Sequence, residues 1–115
     1  MTFSRGQILL VNFPHSDLVT IKRRPVLVVQ SDLVRNELPQ LIAATITSNL
    51  SRAGRPGRVS IQLGSPAAIG TGLRADSVIA LDHLATVREA LVARPIGVLS
   101  DMSLVDAALR LTLSL

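Results

Sequence analysis

Short apolar runs closed by turn residues dominate this 115-residue chain, and they leave little choice of architecture. Within Gln7–Phe13, Ile8–Val11 is continuously apolar and Pro14 stops it; Val26–Gln30 and Leu41–Ile46 repeat the pattern. Runs of about 4–8 residues are too short for typical helices and read as strands buried on both sides or packed in a barrel. Arg58–Leu63, where Val59, Ile61 and Leu63 alternate with polar residues, Asp76–Leu81 and Leu84–Arg88 add further candidates. Five or six short strands at close spacing predict a small all-β barrel or sandwich rather than alternating β-α units. With 48% hydrophobic residues over this length, residues 1–115 are expected to form a single compact domain.

The C-terminus changes period. Ser100 and Asp101 are N-cap candidates for a helix in which Met102, Val105, Leu109 and Thr112 share one stripe beside Leu104, Ala108 and Leu111. The early Asp101 and Asp106 and the late Arg110 suit the helix dipole. That apolar face is wide for a helix lying on one small barrel, so it either packs entirely within the chain or meets a second chain in part.

Several classes of protein are excluded at this level. No apolar run approaches the ~20 residues of a membrane span, and no long apolar stretch follows a basic N-terminus, so neither anchor nor signal peptide is expected. The chain has no Cys, hence no disulfide framework, thiolate metal site or cysteine nucleophile, which suits a reducing, cytoplasmic address. His15 and His83 are far apart with no carboxylate at ligand spacing, Gly70–Arg74 lacks a P-loop lysine, and no serine sits in a Gly-x-Ser-x-Gly elbow. No metal or cofactor is predicted.

Charge supplies the positive clue. Residues 1–58 hold eight cations and three anions, net +5, whereas residues 59–115 hold four cations and five anions, net −1. A polyanion on one surface is the obvious match, though an Arg-rich soluble surface would look the same. Two connections carry much of this charge: Pro14–Arg24, ending in Lys22-Arg23-Arg24, and Ser51–Arg58, with two Gly, one Pro and three Arg, expected to be a mobile loop. An arginine-rich surface can cleave RNA without a metal. The 2′-hydroxyl is a built-in nucleophile, and the reaction needs only alignment, a proton acceptor, charge stabilisation at phosphorus and protonation of the departing 5′-oxygen. Arginine supplies the phosphate clamp as a permanently charged planar fork.

Five blocks carry a resemblance: Arg5–Pro14 (RGQILLVNFP), Lys22–Ser31 (KRRPVLVVQS), Ala44–Asn49 (ATITSN), Gly72–Ile79 (GLRADSVI) and Ile96-Gly97. In this order and spacing they are similar to the MazF/PemK toxin family, from about Arg5 to Leu113. The resemblance implies a mainly β fold with α, an SH3-like barrel of the CcdB/MazF type with a C-terminal helix. It also implies a homodimer, metal-independent endoribonuclease activity on single-stranded mRNA, and a cognate antitoxin that silences it.

Residue by residue, Arg24 before Pro25 matches a family position assigned to catalysis and Thr47 its hydroxyl partner. Taken alone, a solvated loop charge and a β-branched strand residue would explain both. Arg74 and Asp76 match a second pair, the Asp as base and the Arg as acid or clamp. At i and i+2 they share a face if extended, but a carboxylate at its ordinary pKa of ~3.9 is a weak base near neutral pH. An Asp–Arg ion pair at a strand start is the competing reading. Lys22, Arg23, Ser48, Asn49, Arg52, Arg55 and Arg58 are candidate RNA contacts, or contacts to an acidic antitoxin tail. His15, in a loop where some relatives place a histidine, is a further candidate RNA contact, although that loop aligns only with a gap and the residue reads more readily as an ordinary surface histidine; His83 reads as structural. Gln7 departs from the family, where an acid often follows Arg-Gly. A gyrase-binding, CcdB-like toxin without nuclease activity and an inactive binding barrel are the competing functions. Phe3 and Phe13 are the only aromatics, which argues against base-stacking platforms.

Overall fold

The computed structural model describes residues 3–14, 19–34 and 38–115. His15 lies outside the described residues, as do parts of the Pro14–Arg24 connection. Six antiparallel strands form one sheet: β1 (Gln7–Pro14), β2 (Ile21–Val28), β3 (Gln40–Thr47), β4 (Arg58–Ile61), β5 (Ser77–Arg88) and β6 (Val92–Val98), followed by helix α1 (Ser103–Leu113). Their order across the sheet is β4-β5-β3-β2-β1-β6. The mainly β class with a C-terminal helix is as predicted. The barrel is not closed: among the described residues β4 and β6 are edges and do not pair.

Strand alternation explains two cores on one sheet. Ile8 and Leu27 point to one face, while Leu9, Val26 and Val28 point to the other. On the first face α1 packs with Val105 and Ala108 buried against Ile8, Ile46, Ile79 and Leu81. The second face gathers Leu9, Val11, Val26, Val28, Leu41, Ala43 and Val87, with Phe13, Ala85 and Leu91 at its margin. Each fully buried Val or Leu contributes about 1.5–3 kcal/mol, so both faces hold the sheet.

Arg5 ties the helix to the sheet. Its Nη2 donates to Asp106 of α1 at 2.7 Å, its Nε donates to the Val29 carbonyl at 2.9 Å, and its backbone N–H donates to Asp32 at 2.8 Å. The N-cap of α1 is Met102 rather than Ser100 or Asp101; Asp101, one residue earlier, accepts from the Ser103 amide and hydroxyl, which holds its carboxyl below the ordinary range. Leu104 and Leu111 remain about two-thirds exposed, so the wide apolar face foreseen from sequence is only partly used within the chain.

Three elements differ from the sequence reading. β2 begins at Ile21, so Lys22-Arg23-Arg24 form part of a strand, paired with Phe13, Asn12 and Val11 of β1. The two candidates Asp76–Leu81 and Leu84–Arg88 form one strand interrupted by a bulge: β3 pairing jumps from Thr45↔Ala80 to Ala44↔Leu84, expelling Leu81, Asp82 and His83 from the ladder. β6 was not among the strand candidates; it contains Pro95 and Gly97, which an edge strand tolerates. Gly97 lies so close to the Gly70–Thr71 backbone that a Cβ there has no room.

Candidate active-site cleft

Pro25 opens the site. β2 and β3 pair through Val28↔Ala43, Leu27↔Ala44 and Val26↔Thr45, and the ladder stops there. Proline has no N–H to extend it. Arg24 of β2 and Thr47 of β3 lie beyond the last paired rung, and both line the gap there. The gap continues into a cleft of about 900 Å³, at the upper end of the ~300–1,000 Å³ of ligand pockets. Phe13, Ala80 and Ala85 form apolar parts of its lining, continuous with the second core.

Six cations line it, Lys22, Arg23, Arg24, Arg52, Arg58 and Arg74, and no carboxylate does among the described residues. Arg24 is exposed, and Arg23 is held by Asn12, its Nε donating to Oδ1 at 3.0 Å. Thr47 is half-buried; its Oγ1 accepts from the Asn49 amide at 3.1 Å, which occupies an acceptor position and leaves the hydroxyl proton for a phosphate oxygen. Asn49 in turn caps a 3-10 turn at Leu50–Arg52, its Oδ1 accepting from the Ser51 amide and hydroxyl. Ser48 and Asn49 both border the cleft.

The Ser51–Arg58 segment, expected as a mobile loop, is laced to the sheet instead. Arg58 donates from Nε and Nη2 to the two oxygens of Asp82, each at 3.2 Å, and from Nη1 to the Arg52 carbonyl at 2.7 Å. The Arg58 hydrogen bond, with its charge, holds the Asp82 carboxyl below its ordinary range. Arg58 thus has a structural tie as well as a place on the wall. Arg55 is exposed and outside the cleft lining.

Arg74 and Asp76 part company. The strand starts only at Ser77, so both residues precede it, and Arg74 borders the cleft while Asp76 does not. Asp76 accepts the Leu63 amide at 2.8 Å, pinning the turn after β4, and forms no ion pair with Arg74. The residue that sequence reasoning misplaced is His83. It is exposed and lines the cleft, carried there by the bulge. The one local signal of the bulge was the polar pair Asp82-His83 inside an apolar run.

Residues 4–115 match the family model described as "PemK-like, MazF-like toxin of type II toxin-antitoxin system". The chain belongs to this toxin family. Among individual PemK/MazF relatives, Endoribonuclease MazF6 of Mycobacterium tuberculosis is 37% identical over 119 aligned positions covering all of both chains. Endoribonuclease EndoA of Bacillus subtilis is 36% identical over 94, covering 80% of this chain and 77% of EndoA. The fold of a mycobacterial endoribonuclease in complex with its cognate antitoxin superposes with a TM-score of 0.76, at 17% identity, covering 99% of this chain and 97% of that one. The Mycobacterium tuberculosis toxin MazF-mt6 gives 0.69 at 27% identity, over 95% and 97%. PemK/MazF membership therefore spans both cores and every wall of the cleft.

Proposed function

We propose that this chain is a metal-independent, sequence-specific endoribonuclease, an mRNA interferase that cuts single-stranded mRNA in the cytoplasm through the substrate's own 2′-hydroxyl. The observation that carries the reading is that Arg24 and Thr47 line one cleft together with five further cations. Such a wall attracts a phosphodiester and repels a divalent cation. Arg24 clamps the scissile phosphate and stabilises the charge that builds on its oxygens. Thr47 donates its hydroxyl proton to a phosphate oxygen, and Arg74 holds a neighbouring phosphate. Residues 1–115 act as one toxin unit, as a homodimer, and a cognate antitoxin silences it by covering the basic cleft; the largely exposed Leu104 and Leu111 of α1 suit contact with a second chain.

A long single-stranded RNA of mixed sequence, incubated with the protein in excess chelator, is expected to be cut at a recurring sequence, leaving 2′,3′-cyclic phosphate ends. Arg24→Ala should reduce the rate about 10²–10³-fold, the usual cost of removing one donor to a developing oxyanion. RNA left intact at high protein concentration sinks the proposal.

A further inference from the structure

We infer that His83 is the general base that takes the proton from the attacking 2′-hydroxyl, an inference that rests on the nuclease reading above. The cleft poses a problem for that reaction. The charged side chains lining it among the described residues are Arg and Lys, which stay protonated at neutral pH and cannot accept a proton. Thr47 is a donor there, and the one carboxylate proposed from the family pattern, Asp76, is off the cleft and committed to the Leu63 amide. His83 is the only imidazole among the described lining residues. Imidazole is the side chain whose charge ordinarily changes between pH 5 and 8.

Its placement is built rather than incidental. Pairing with β3 skips from Ala80 to Leu84, and the three expelled residues each have a different partner. Leu81 enters the helix-side core and its amide donates to the Gly57 carbonyl at 2.8 Å. Asp82 grips Arg58 with both oxygens, and His83 is left on the cleft wall. Bulges re-aim side chains in this way next to active sites. The charged groups that share the cleft lining with His83 are Arg58 from β4, Lys22, Arg23 and Arg24 from β2, Arg52 from the 3-10 turn and Arg74 before β5, while Asp82 adjoins it on the bulge, outside the lining.

In the step, neutral His83 accepts the 2′-hydroxyl proton as the O2′–P bond forms. The P–O5′ bond breaks, giving a 2′,3′-cyclic phosphate. The 5′-oxygen takes a proton from water, and the resulting hydroxide is neutralised by the proton that imidazolium gives back.

The test is a pH–rate profile on a long mixed-sequence RNA in chelator, comparing the unaltered protein with His83→Ala, His83→Gln and His83→Arg, each checked for folding by thermal melting. The inference expects kcat to fall about 10²–10⁴-fold in all three, with KM little changed in the Ala and Gln variants. The rise of rate with pH in the acid range should be lost, and added imidazole should restore His83→Ala in proportion to its free-base concentration. Full activity in His83→Arg would show that a cation suffices there and would overturn the inference. So would an unchanged acid limb in His83→Gln while Arg24→Ala is dead, which would leave the nuclease reading standing. No cleavage by the unaltered protein would overturn both.

Discussion

Gly97 offers a sharp test of how the cleft is supported. A Cβ added there meets the Gly70 carbonyl oxygen and the carbonyl carbon and oxygen of Thr71, all backbone atoms with no rotamer to yield. That loop cannot slide aside freely. Val98 donates to the Gly70 carbonyl at 2.8 Å, and Thr71, fully buried, donates to the Ala68 carbonyl at 2.8 Å. Overpacking of this kind costs about 1–3 kcal/mol, and loss of the Val98 bond adds about 1 kcal/mol. At about 3–5 °C per kcal/mol for a domain of this size, Gly97→Ala should melt about 10 °C below the parent. Two controls separate space from backbone conformation. Gly64 has open space and no left-handed φ, so Gly64→Ala should be neutral or raise stability by about 0.4–1 kcal/mol through the unfolded state. Gly54 has open space but a φ of +82°, so Gly54→Ala should cost about 1 kcal/mol from conformation alone. Calorimetric melts of all three, in an Arg24→Ala background that removes toxicity to the host, give the ranking. Gly97→Ala melting together with Gly64→Ala would refute the close approach of β6 to the Gly70–Thr71 backbone.

Other expectations concern single contacts. Arg58 holds the Asp82 carboxyl below its ordinary range, so the pair's contribution is present above the unfolded pKa of ~3.9 and is lost as pH falls through the lowered folded value. Asp82→Asn should therefore cost at most about 1 kcal/mol at pH 7, given that the aspartate is 36% exposed, and urea titrations should show the gap closing in acid. Arg5→Met keeps the aliphatic stem but loses the bonds to Asp106 and Val29, and should cost about 1–2 kcal/mol; Arg5→Met combined with Asp106→Asn should cost less than the sum of the two, measured by the same titrations. Thr47→Ser should retain cleavage, whereas Thr47→Val should lower kcat about tenfold or more by removing the phosphate donor.

What the sequence revealed was whatever depends on local pattern. The β1 run, the β3 run and the Met102–Thr112 stripe of α1 were legible because apolar period alone specifies them. The family blocks singled out Arg24 and Thr47, but that both line one cleft depends on how β2 and β3 pair, which no local pattern states. The basic tripeptide at Lys22 looked like a loop because backbone pairing with β1, invisible in side-chain hydropathy, is what makes it a strand. The positions of Asp76 and His83 were not legible, for a similar reason. The first is drawn off by an amide thirteen residues earlier, and the second is delivered by a skip in pairing.

An open sheet leaves two rims, and both are poor templates for another strand. β4 is only four residues long, and β6 carries Pro95, meets β1 through two register shifts, and has its Val98 amide already taken by Gly70. Short edges, proline and irregular pairing are how sheets avoid growing into one another. Copies of this chain can therefore be crowded together without zipping into a continuous sheet, and any assembly they form must be written in the side chains of the helix and loops, where sequence can choose the partner.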